Sequence, residues 1–203
     1  MKLRTIACAL AVVLVSAAAY AQSGVYLTFD AQQFTQEGVL VNPGTHGNID
    51  RPWLYGPGYG VYYDVTRLPY LGKLKTGPVV VGIDGRGDTL RLSAYNTTFN
   101  RQDGIFSLRV AAKNKIAGIT PYIQGGFGIG HTKVPGRTYY SNNFIYQFTV
   151  GVDKKIHNHI DWRVEASAAA LGNYATGYYP SGVGPNQSSY LVTVDTGLVY
   201  RFK

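Results

Sequence analysis

The chain has 203 residues, 45% of them hydrophobic, with 25 Gly, 17 Tyr and a mean hydropathy of −0.07. Glycine costs about 1 kcal/mol at a helical site and aromatics prefer strands, so this composition excludes a helical bundle, and its middling hydropathy excludes both a disordered chain and a multi-helix membrane protein. The formal charge of +8 would suit nucleic acid, but the basic residues do not gather on one binding face, so no nucleic-acid partner is expected.

Residues 1–21 read as a secretory signal. Lys2 and Arg4 form a basic start, Ile6 to Ala19 an apolar stretch too short for a span of about 20 residues, and Ala19-Tyr20-Ala21 a small-x-small cleavage site before Gln22. The single cysteine, Cys8, lies inside the apolar stretch. The mature chain, residues 22–203, therefore offers no disulfide, thiolate metal site or cysteine nucleophile, and reads as one domain.

From there period-2 alternation dominates, the signature of strands with two unlike faces. Eight strands are expected, over 24–35, 56–66, 78–87, 104–113, 119–131, 143–154, 159–170 and 188–202. In the first, Val25, Leu27 and Phe29 oppose Tyr26, Thr28 and Asp30; in the last, Tyr190, Val192, Val194, Leu198 and Tyr200 oppose Asp195, Gly197 and Arg201. Most reach the roughly 10 residues that a tilted strand needs to cross a bilayer. Short connections near 114–118 and 155–158 and an intermediate one at 67–77 alternate with longer ones at 36–55, 88–103, 132–142 and 171–187. That rhythm is the mark of an up-and-down barrel with two unlike ends.

Alternation alone does not say which face is buried. Three features favour apolar residues facing lipid and charges facing the lumen. The polar face carries glycines (Gly60, Gly82, Gly126, Gly128, Gly151, Gly197) that suit a narrow interior. Aromatics such as Trp53, Tyr55, Tyr122, Trp162 and Tyr200 cluster near strand ends, as in interfacial girdles. The chain also closes on the aromatic-rich segment Leu198 to Phe202. The fold class is therefore all-β, an eight-stranded antiparallel up-and-down transmembrane β-barrel.

The segment Ile119-Thr120-Pro121-Tyr122-Ile123-Gln124-Gly125-Gly126-Phe127-Gly128-Ile129-Gly130 resembles a strand of the small bacterial outer-membrane β-barrel proteins, the opacity- and OmpA-like barrels. Phe148 to Asp153 followed by Ile160 to Glu165 is similar to that family's next hairpin, and the closing strand to its insertion signal. The resemblance implies an outer-membrane location and insertion by the outer-membrane assembly machinery. Outer-membrane lipid and lipopolysaccharide are the implied surroundings, with a host or cell-surface ligand at the loops.

Charges in a low-dielectric lumen must pair, and Arg109, Arg163, Glu165 and Asp195 are the expected central network, filling the barrel as a plug. The remaining basic excess is expected at the short-turn end, where Lys113, Lys154, Lys155 and Lys203 outnumber Asp153 and can meet lipid headgroups or cell-wall polymer. His131, His157 and His159 lack the companions of a hydrolytic or metal site, so no catalytic residues, cofactor or metal are expected. Tyr-, Gly- and Ser-rich loops suit adhesive contact, with Trp53, Tyr139, Tyr140, Tyr174, Tyr178 and Tyr179 as contact residues. The expected role is structural or surface-interacting. A small porin is the alternative, and a lipid A-modifying enzyme comes third.

Overall fold

Alternating exposure runs through each long strand: in β1, Ser23–Phe34, every second residue from Gly24 is buried while Val25, Leu27 and Phe29 are exposed. In the computed structural model, which describes residues 23–35, 40–41, 48–49, 51–67, 78–94, 97–113, 117–133, 140–176 and 189–202, no helix occurs among these residues. The expected signal segment lies outside them.

The remaining long strands are β4 (Trp53–Arg67), β5 (Val79–Ala94), β6 (Thr97–Ala112), β7 (Ile119–Lys133), β8 (Tyr140–Lys155), β9 (Ile160–Thr176) and β10 (Ser189–Arg201). Each pairs antiparallel with its neighbours, and β1 pairs with both β4 and β10, from Gly24 opposite Arg201 to Phe34 opposite Leu191. The eight strands close into a barrel with no free edge, the condition for a sheet to cross lipid with every backbone group satisfied. Two short strands, β2 (Leu40–Val41) and β3 (Asn48–Ile49), form a separate hairpin in the expected first loop. One end of the barrel, the terminal end, carries the connections 68–78, 113–118 and 156–159 together with the start of β1 and the end of β10; the other, the loop end, carries 35–52, 95–96, 134–139 and 177–188.

The eight expected strands are all present, and the main difference lies in their length. Residues 88–103, expected as a loop, belong almost entirely to β5 and β6, which pair from Val79 opposite Ala112 up to Ala94 opposite Thr97. Strand β9 likewise runs on to Thr176. Apolar alternation stops where the wall leaves the lipid, but ladder hydrogen bonds do not depend on side-chain polarity, so the strands continue past the point where their pattern fades. Near the terminal end Gly118, at a φ of 63°, turns the chain into β7, a conformation that glycine adopts without a Cβ penalty, and its carbonyl accepts from the Lys155 N–H at 2.7 Å.

The outward face is apolar at mid-height, with Leu27, Leu108, Phe127, Tyr146, Phe148 and Leu198 all more than half exposed. An exposed apolar surface of this extent is stable only against lipid.

Candidate functional site: the sealed lumen

Three inward tyrosines organise the centre. Tyr26, Tyr62 and Tyr122 are buried, and each lies against the glycine directly opposite on the neighbouring strand: Tyr26 opposite Gly60, Tyr62 opposite Gly24, Tyr122 opposite Gly151. A Cβ at Gly60, Gly24 or Gly151 would fall on the partner ring, so each ring packs on bare backbone. The glycines of the polar face thus make room for specific rings in a narrow lumen.

Two arginines are held among those rings. The Arg109 guanidinium is 4.3 Å from the centroids of both Tyr62 and Tyr122, and that of Arg163 is 4.2 Å from Tyr26 and 5.1 Å from Tyr122. Stacking on aromatic faces suits the weakly hydrated guanidinium and offsets part of its desolvation.

Carboxylates then link these cations into a ladder along the lumen. From the terminal end, Lys113 Nζ pairs with Asp64 at 2.7 Å, and Asp64 accepts from Arg109 at 3.1 Å. Arg109 also donates to Asp153 at 2.8 Å, and Arg163 clamps the same carboxylate with Nε at 2.8 Å and Nη2 at 3.0 Å. Arg163 approaches Glu165 at 3.4 Å, and Glu165 pairs with Arg86 at 2.7 Å. Arg86 reaches Asp84 at 3.5 Å and Asp195 at 3.9 Å. The Tyr122 hydroxyl donates to Glu165 and the Tyr26 hydroxyl to Asp84. Strands β4, β5, β6, β8, β9 and β10 are thereby tied together across the interior.

Of the expected network, Arg163 and Glu165 do meet, and Asp195 joins at its edge through Arg86. Arg109 is two steps away, connected through Asp153. Asp153 and Lys113, assigned by sequence to the turns, are in fact luminal, and so are Asp88, Arg101 and Asp103, assigned to a loop. Tyr122, expected in an interfacial girdle, is a luminal residue with 4% exposure. The signal for these residues was present in strand parity, since each falls in phase with the other inward positions of its strand.

Towards the loop end the lumen changes character. Phe34, Leu54, Leu90, Ile145, Leu171 and Leu191 point inward and form a buried apolar layer, with the Arg101–Asp103 pair (2.8 Å) and Thr132 beside it. Between this layer and the ladder lies a cavity of about 20 Å³, lined by Asp30, Gln32, Asp88, Thr193 and Asp195 among others, room for about one water.

Trp53, Tyr140 and Tyr174 lie in strands and not in loops. Trp53 stacks on Tyr55 (6.2 Å), which stacks on Phe29 (6.3 Å), so it belongs to an outward aromatic belt at the loop end. Tyr139, Tyr178 and Tyr179 lie outside the described residues. The His131 Nδ1 is 2.6 Å from the Asn142 side-chain oxygen, and His159 stacks on Tyr200 at 6.0 Å.

A model of the outer membrane protein beta-barrel domain matches residues 5–202. No curated protein sequence matches the chain. Among solved structures, Neisserial surface protein A (NspA) superposes with a TM-score of 0.60 at 13% identity, over 89% of this chain and 99% of that one. Ail, the attachment invasion locus protein of Yersinia pestis, crystallised with the heparin analogue sucrose octasulfate, gives 0.53 at 12% identity, over 90% of this chain and 99% of that one. At these identities the likeness is one of fold.

Proposed function

The chain belongs to the outer membrane protein beta-barrel domain family, and from that premise we propose that it is a surface-interaction protein whose barrel serves as a closed anchor. The observation that carries this reading is the sealed lumen. A continuous ion-pair ladder, three tyrosines and an apolar layer leave a cavity of about 20 Å³ among the described residues, which supports a plug over a pore. With the interior filled, recognition falls to the loop end, where the connections 35–52, 134–139 and 177–188 emerge beside the aromatic belt of Trp53, Tyr55 and Phe29. Tyr139, Tyr178 and Tyr179 are the proposed contact residues in those loops, because Tyr supplies rigid amphipathic area at low entropic cost. The loop end faces the cell exterior and the terminal end the periplasm. Ail's complex with a heparin analogue makes a sulfated glycan the first ligand to try.

Planar-bilayer recording tests the reading. The folded protein adds no discrete conductance steps, and reproducible ion channels would overturn the plug in favour of a porin. Residues 1–21 are proposed as a cleaved export signal, with the assembly machinery inserting the remainder. The intact mass of protein purified from outer membranes corresponds to a chain starting at Gln22; a mass that includes the leader would refute cleavage.

A further inference from the structure

The lipid-facing wall is not uniform. Outward positions on β4 to β8 are stacked in tiers that the strand register defines. At mid-height Tyr59, Gly87, Gly104 and Ile129 lie side by side, and the tier below sets Val61, Gly85, Phe106 and Phe127 in a row. Gly85 and Gly104 thus leave a floor of bare backbone between aromatic walls, open to beyond 4 Å, while the Tyr59 ring lies over Gly87. The result is a broad, open apolar cleft of about 950 Å³ on the lipid-facing wall.

Directly towards the loop end, the outward tiers turn polar. Thr89, Gln102, His131 and Asn142 form one row, and Arg91, Asn100 and Lys133 the next. Arg91 and Lys133 are exposed, and neither has a carboxylate partner among the described residues. They stand two strands apart, about 10 Å, and Arg91 is four residues above Gly87, about 13 Å.

We propose that this face is a binding site for a bisphosphorylated, acylated glycolipid of the outer leaflet, with lipid A as the occupant. Its phosphates pair with Arg91 and Lys133, its sugar lies against the polar row, and one acyl chain fills the cleft. Two separated cations above an apolar slot match a headgroup with two separated phosphates better than a phospholipid with one. The assignment rests on the loop end facing the outer leaflet.

Native mass spectrometry of the folded protein in detergent, titrated with bisphosphorylated lipid A, tests it. One lipid A is retained per barrel. Gly104→Leu, which fills open space without a backbone clash, weakens retention at least fivefold, and Arg91→Ala with Lys133→Ala does the same. Phosphatidylglycerol binds at least fivefold more weakly than lipid A. Undiminished binding by these variants, or equal binding of phosphatidylglycerol, overturns the site. So does a dimer that Gly104→Leu disperses while lipid binding is unchanged. Heat-modifiable gel mobility is followed in parallel. A wild-type barrel that shows the mobility shift but retains no lipid A condemns the lipid site alone, whereas a wild-type protein without the shift condemns the barrel reading.

Discussion

Asp153 is the joint of the luminal ladder. Among the described residues it is the only carboxylate that takes both Arg109 (2.8 Å) and Arg163 (2.8 and 3.0 Å), and it is 2% exposed. Substituting Asn keeps the shape but leaves two buried guanidinium groups short of their shared counter-charge, and removing one member of a buried ionic group costs about 3–5 kcal/mol. Asp153→Asn is therefore expected to destabilise the folded barrel by about that amount, read from urea unfolding in lipid vesicles. Asp195 differs: its nearest cation contact is Arg86 at 3.9 Å. Asp195→Asn, which keeps the shape and gives up that long contact, is expected to cost less than about 1 kcal/mol in the same assay. The two carboxylates have the same parity and chemistry in the sequence. Only the cross-barrel distances rank them.

At the scale of the element, strands β5 and β6 reverse their polarity along their length. On β6, Phe106 and Leu108 face out and Ser107 and Arg109 face in, whereas nearer the loop end Asn100 and Gln102 face out and Phe99 is buried inside. The same reversal sets Leu54 and Leu90 inward while Arg91 faces out. The physical cause is a change of solvent: against lipid the outer face must be apolar, and above the lipid the barrel behaves as a soluble one with an apolar core. A charge placed on the outer face should therefore carry a depth-dependent cost. Leu108→Arg, in the middle of the apolar band, is expected to destabilise by about 2–4 kcal/mol and Gln102→Arg by about 1 kcal/mol or less. Equal costs in vesicle unfolding would show that the band has been drawn at the wrong height.

For the whole molecule, closure and filling act together. The β1–β10 pairing removes the free edges, and the ladder, the tyrosines and the apolar layer then brace the closed ring from within. Because the ladder is buried, mobile ions reach it poorly, and screening over a Debye length of about 10 Å at 0.1 M weakens exposed pairs far more. Raising salt from about 0.05 to 1 M is thus expected to leave the unfolding midpoint in vesicles nearly unchanged. A large fall would mean that the stabilising charges are at the rim and not inside. The exposed Arg91 and Lys133 are the sites where salt should act, through weaker retention of an anionic lipid.

Alternation of residue type along the chain was sufficient to read eight strands, while their lipid and lumen faces needed the glycines of the polar face, the aromatic residues near strand ends and the aromatic closing strand, and the outer-membrane class came from the family resemblance. Arg109, Arg163, Glu165 and Asp195 could be assigned inward on parity alone, as could Tyr26 and Tyr62. What parity does not carry is which inward residue meets which: that Asp153, near a strand end, joins two arginines, that three tyrosines lie on three glycines, and that 88–94 and 97–103 are strand. Those facts depend on the register between strands and on distances across a closed lumen. Residues such as Asp64 and Arg109, 45 positions apart, become neighbours only once the barrel has closed.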